Sequence, residues 1–237
     1  MMRLDKMLAH SGYGSRKEVK NFIRKGYVMV NGNVITDDDF KVDEINDEVV
    51  IADQSVSYNN NIYIMLNKPD GYVSATYDNY DPTVLDLISG YEKRNLFPVG
   101  RLDKDTVGLL LITNDGQLAH KLLSPKSHVD KVYYLKHTGI FKENYHKKFT
   151  EGIILDDGYK CMPATFKVLS DGEGEITIKE GKFHQVKRMM QSLGMEVTYL
   201  RRIKFGALDI DESLKEGEYR LLTEEEINII NTNWNGL

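Results

Sequence analysis

Gly100-Arg101-Leu102-Asp103-Lys104-Asp105-Thr106-Val107-Gly108 runs directly into the apolar segment Leu109-Leu110-Leu111-Ile112. A basic residue and two carboxylates lie between two glycines, just ahead of a segment apolar enough for a buried strand, so charge is placed at the rim of a core. If the chain is an enzyme, Asp103 is the residue its chemistry centres on.

Around this stretch lie 237 residues, of which 41% are hydrophobic, enough for a real core in two modest domains or one large one. No apolar run approaches the roughly 20 residues of a membrane helix, and no basic start followed by an apolar stretch marks a signal peptide. A cytoplasmic protein with no membrane partner is expected, and a monomer. The one cysteine, Cys161, excludes an intramolecular disulfide and a multi-cysteine zinc site, and reads as a small buried residue. A net charge of −5 argues against nucleic-acid binding until its distribution is read. Residues 1–36 hold seven basic and two acidic residues, a local +5, whereas residues 37–53 hold eight acidic residues and one lysine, a local −7. Such asymmetry suits a patch that grips phosphates, with a solvated helix face as the alternative.

In the basic segment Leu4, Met7 and Leu8 recur at helical spacing, as do Val19, Phe22 and Ile23. Ser15 is an N-cap with Glu18 at capping-box spacing, which places Arg16, Lys17 and Lys20 in or near the first two turns. Val28 and Val30 alternate into Asn31-Gly32, a hairpin signal, before Val34. Arg3-Leu4-Asp5-Lys6, then Ser15-Arg16, then Val28, Val30 and Asn31-Gly32 resemble the S4 RNA-binding module of two helices and a small sheet. The resemblance implies that Arg16, Lys17, Lys20, Arg24 and Lys25 contact RNA phosphates.

Gln54–Asn61 is polar, with three consecutive asparagines, and reads as a linker, giving domains of 1–58 and 59–237. In the second domain, strands are expected at 62–66, 109–113, 132–138, 164–169, 175–179 and 197–203, and helices at 83–88, 116–123, 143–151 and 183–193. Thr223 and Glu226 form another capping-box pair ahead of an apolar C-terminal helix. The irregular alternation favours an α+β domain over a doubly wound one.

Phosphate-loop and dinucleotide fingerprints are missing, the six histidines have no metal-ligand spacing, and no serine sits in a nucleophile elbow. What remains is carboxylate chemistry with no cofactor and no metal. Asp103 offers a nucleophile or base, Arg101, Lys68, Lys187 and Arg188 are the available cations, and Tyr133 offers a ring able to stack on a base. Taken singly, each also reads as a turn residue, a solvated helix face or a strand filler.

Taken together they resemble the RsuA-type pseudouridine synthases, which act on ribosomal RNA and carry an N-terminal S4 module. The match spans nearly the whole chain: Asn67-Lys68-Pro69-Asp70-Gly71-Tyr72, Gly100 to Leu109, Lys131 and Tyr133, Glu180 to Met189, and Gly217-Glu218-Tyr219-Arg220. It implies an α+β catalytic domain on a mixed, mainly antiparallel sheet, with Asp103 as the catalytic aspartate, Tyr133 as the active-site tyrosine and Lys187 as the aspartate's basic partner, where many relatives outside this branch have arginine. Lys68, Arg101 and Arg188 are then expected around a flipped uridine, with Asp105 only supporting the loop. Its partner would be ribosomal RNA or a ribosome assembly intermediate. The spacing is closest to the small-subunit enzyme, the alternatives being a large-subunit target or a non-catalytic RNA-binding assembly protein.

Overall fold

In a computed structural model of the protein, residues 1–43, 46–56, 61–91 and 94–232 are described. The chain divides into two compact units, Met1–Asn61 with Gly90–Asn95, and Ile62–Ser89 with Leu96–Leu237.

In the smaller unit, helices Leu4–His10 and Arg16–Arg24 pack on a sheet ordered Asn33–Ile35, Val28–Val30, Val49–Ile51, Gln54–Ser55. Ser15 caps the second helix as its spacing predicts: the Glu18 backbone N–H donates to Ser15 Oγ and the Ser15 N–H to Glu18 Oε2. Asn31 and Gly32 both take positive φ, 50° and 76°, as the tight turn between Val28–Val30 and Asn33–Ile35 requires. Val19 and Ile23 join Leu4, Met7, Leu8 and the strand valines in one apolar core, which leaves the basic residues of the second helix on its outer face. The supposed linker begins later than its polarity suggests. Gln54 and Ser55 pair with Ile51 and Val50 as an edge strand, and 57–60 lie outside the described residues.

The larger unit is α+β, built on one mixed sheet. Its order is Thr165–Ser170, Glu173–Ile178, Lys131–Thr138, Glu196–Phe205, Val107–Thr113, Tyr63–Lys68, Tyr219–Leu221, and all neighbours are antiparallel except Glu196–Phe205 with Val107–Thr113. Val107–Thr113 is buried at every residue, so the apolar run after the Asp103 turn is the sheet's centre. It is joined there at Gly108, which has φ 98° and lies where a Cβ would come within 2.4 Å of the Arg202 carbonyl oxygen. No other residue type fits that crossing without backbone movement. Two expected helices differ. Residues 83–88 form a short 3-10 helix, Val84–Leu87, and the expected 183–193 helix is Gln185–Gln191. The latter starts late because His184 takes a left-handed φ of 48°, outside helical geometry.

The turn carrying Asp103 is fixed from beneath. Lys68 is 0% exposed, and its ammonium donates to the carbonyls of Pro69 (3.0 Å), Lys104 (3.0 Å) and Thr106 (2.9 Å). Ser74 holds both backbone groups of Leu102, accepting from its N–H at 3.0 Å and donating to its carbonyl at 2.9 Å. The Thr106 N–H donates back to the Asp103 carbonyl at 3.0 Å and closes the turn. Burial pushes the Lys68 amine down to about 8, against the pull of Asp70, Asp105 and Asp103, so at neutral pH it still carries all three donors. Lys68→Met therefore strips a charged donor from three carbonyls. A loss of roughly 2–4 kcal/mol in urea unfolding is expected, and an unchanged midpoint would contradict this role.

Candidate active site

Three elements converge on Asp103: its own turn, the strand Lys131–Thr138, and the segment entering the helix Gln185–Gln191. Asp103, Arg101, Tyr133 and His184 line one open cleft of about 250 Å³, with Ile178, Val186 and Leu200 giving it an apolar wall. Asp103 is half-buried. Its Oδ2 lies 3.3 Å from Lys187 Nζ, and its Oδ1 lies 3.8 Å from His184 Nε2. A carboxylate so placed faces the cleft beside a cation and can act as nucleophile or base. Tyr133 is 7% exposed in the cleft wall, and Thr106 Oγ1 beside it is a buried hydroxyl with no hydrogen-bond partner among the described residues.

The structure gives Asp105 more than loop support. Its Oδ1 takes the same Lys187 ammonium at 2.5 Å, so one lysine bridges both carboxylates of the turn. Burial pushes the Asp105 carboxyl up, but the Lys187 ammonium outweighs it and holds the group below its ordinary value. His184, read from the sequence only as an ordinary histidine, reaches Asp103 because its left-handed backbone turns the ring, stacked 3.9 Å from that of Phe183, over the cleft. Nothing in residue spacing announces that backbone conformation.

One expected RNA contact needs correction, and a second is already engaged. Lys68 cannot meet a ligand, since it is fully buried under the turn and spent on three carbonyls. Arg188 is already paired, its guanidinium meeting Asp156 and, at 2.7 Å, Asp157. Arg101 is exposed and forms no ion pair among the described residues. In the smaller unit, Lys20 and Arg24 share Asp38 at 3.2 and 2.8 Å, whereas Arg16, Lys17 and Lys25 are exposed with no ion pair among the described residues. The acidic stretch seen in the sequence thus neutralises part of the basic helix and leaves its first turn bare. Cys161 is buried, and burial pushes its thiol up to about 11, which removes it as a nucleophile.

Comparison with known proteins follows the same division of the chain. Residues 62–192 match the RNA pseudouridylate synthase family, and residues 2–49 match the S4 domain. An uncharacterized RNA pseudouridine synthase of Bacillus subtilis is 47% identical over 235 residues, which is 97% of this chain and 98% of the relative. The ribosomal small subunit pseudouridine synthase A of Haemophilus influenzae is 39% identical over 228 residues, covering 95% of this chain and 98% of that one. A crystal structure of a pseudouridylate synthase superposes with a TM-score of 0.69 at 37% identity, over 97% of this chain and all of the other. A buried sheet that presents a carboxylate in an open cleft, in a chain that also carries a basic-faced N-terminal module, is therefore the framework of an RNA-modifying isomerase, and the chain belongs to the RNA pseudouridylate synthase family, with an S4 domain at its N-terminus.

Proposed function

We propose that the protein converts one uridine of small-subunit ribosomal RNA to pseudouridine, with Asp103 as the catalytic group. The observation that carries this reading is the position of Asp103, held at the mouth of a cleft by a turn whose Leu102, Lys104 and Thr106 carbonyls are pinned, and paired with Lys187 behind it. Uridine and pseudouridine are isomers: the N1–C1′ bond breaks, the uracil turns, C5 bonds to C1′, and the C5 proton is lost as N1 gains one. Asp103 either attacks C1′ or removes the C2′ proton to give a glycal. Both routes need an ionised carboxylate, which here faces the Lys187 ammonium at 3.3 Å, and both need the uridine out of its stack. Tyr133 supplies a ring for the detached uracil to turn against, and the exposed Arg101 a cation for the flipped nucleotide. The ribosomal target is supported by the name of the Haemophilus relative and by the motif spacing of this chain. The S4 unit grips RNA through the bare first turn of its second helix, Arg16 and Lys17, with Lys25 beyond its end.

Release of tritium from uracil C5 in small-subunit rRNA transcripts measures the reaction directly. Asp103→Asn is expected to lower the rate on the order of a thousandfold or more; undiminished release would remove Asp103 from the mechanism. A silent wild type on every rRNA transcript would favour a binding protein that retains the fold. Arg16→Ala combined with Lys17→Ala should weaken RNA binding at low salt and reduce the log–log salt slope by roughly one to two units. The fold, followed by circular dichroism, should be intact. An unchanged slope would make that face solvated surface only.

A further inference from the structure

A second cleft, of about 570 Å³, adjoins the Asp103 cleft and shares Arg101, Tyr133, Gly181 and Lys182 with it. Its floor holds two cations with no ion pair among the described residues, Lys131 and Arg202. Arg202 is 2% exposed. Its Nε donates to the Leu109 carbonyl at 2.7 Å and its guanidinium also meets the Tyr133 hydroxyl, while its Nη2 is buried with no hydrogen-bond partner among the described residues. Lys131 Nζ donates to the Val129 carbonyl at 2.6 Å. Both cations lie against one ring, Lys131 Nζ at 5.6 Å and Arg202 Cζ at 4.9 Å from the centre of Phe205.

Strand register explains the cluster. Lys131 faces Phe205 and Tyr133 faces Arg202 across the antiparallel pair, with a register shift between Val132 and Tyr133. Residues 202 and 205 are an odd number apart and would point to opposite faces of a regular strand; the irregularity, which leaves Ile203 unpaired, puts both on the face of Lys131 and Tyr133. The result is costly: two like charges share a desolvated site, and each weakens the other. Burial, with Arg202 beside it, pushes the Lys131 amine down to about 8. The carboxylates within range are Asp130 and Glu180. Glu180 is taken by the Tyr159 hydroxyl, the Met162 N–H and Gln185, and Asp130 keeps one buried oxygen unpartnered without reaching Lys131 at ion-pair distance.

We propose that this second cleft is a phosphate subsite, in which Lys131 and Arg202 take a backbone phosphodiester of the RNA strand next to the uridine held in the Asp103 cleft. The proposal rests on reading that first cleft as the uridine pocket. An anion supplies the charge the two cations lack, and its partner groups are already desolvated before it arrives. Continuity of the two clefts through Tyr133 favours a strand over a free ion, because a nucleotide in one brings its neighbour's phosphate to the other. His128, Lys179 and Lys182 add positive or ionisable groups around the same cleft, the Lys182 amine lying 4.6 Å above the Tyr159 ring.

The test is binding of a short oligouridylate by the full-length protein across a salt series. Lys131→Gln should lower affinity several-fold at low salt and reduce the slope by about 0.7, the share of one single-strand phosphate, while its thermal melting point stays level or rises because a repelling charge is gone. A full slope retained by Lys131→Gln overturns the proposal, as does a lower melting point with binding unchanged, which is the mark of a purely structural lysine. Inorganic phosphate that displaces the oligouridylate as well as the strand itself does would make this a free-anion site and overturn the strand reading. Asp103→Asn should keep the slope while losing tritium release. Failure of the uridine reading therefore appears in tritium release, and failure of the subsite in the slope.

Discussion

One buried ammonium fixes the shape on which the site depends. Lys68 ends a wholly buried strand, and its three N–H bonds point at the carbonyl of neighbouring Pro69 and at those of Lys104 and Thr106 in the Asp103 turn. A lysine taken out of water is costly unless each proton finds an acceptor, and here each one does. The interaction is all or nothing for the turn, because the same carbonyls cannot turn elsewhere without leaving the charge bare. Ser74 and the Asp103-to-Thr106 hydrogen bond complete the frame, and Val107–Thr113 anchors it in the sheet. Asp103 is thereby placed by its backbone as well as by the Lys187 contact of its carboxylate, which lines the cleft.

The two carboxylates of the turn divide the work through Lys187. Asp105 takes the ammonium closely, and Asp103 stands further from it, at 3.3 Å. A lysine can serve both because it is a compact charge without the planar fork that would bind one carboxylate bidentately. The pairing keeps Lys187 in place when Asp103 is engaged elsewhere. Farther into the sheet, Lys131 and Arg202 show the opposite arrangement, cations gathered without carboxylates at bonding distance. One side of the site thus satisfies its charges internally, and the other leaves them for an incoming anion.

Residue pattern alone revealed much of this. The capped basic helix, the Asn31-Gly32 hairpin and the apolar centre strand are local signals, and each is found where its period or spacing places it. The convergence of Asp103, Tyr133 and Lys187 was legible through resemblance, not through spacing, since the three lie on elements brought together only by the sheet. What the pattern hid has specific causes. Lys68 reads as a surface cation because nothing in a turn-forming Asn-Lys-Pro-Asp-Gly announces that its amine is enclosed. Arg188 reads as free because its partners, Asp156 and Asp157, are about thirty residues away in the chain. His184 depends on one left-handed residue, and Arg202 faces Tyr133 only because a strand irregularity shifts the pairing by one.

The central claim is that a carboxylate held by this frame isomerises uridine in ribosomal RNA. Mapping pseudouridine across small-subunit rRNA from cells that lack this protein tests it most directly. One pseudouridine should disappear, return with the wild-type chain, and stay absent with Asp103→Asn. Small-subunit rRNA that keeps every pseudouridine without the protein, or regains the missing one from Asp103→Asn, would contradict it.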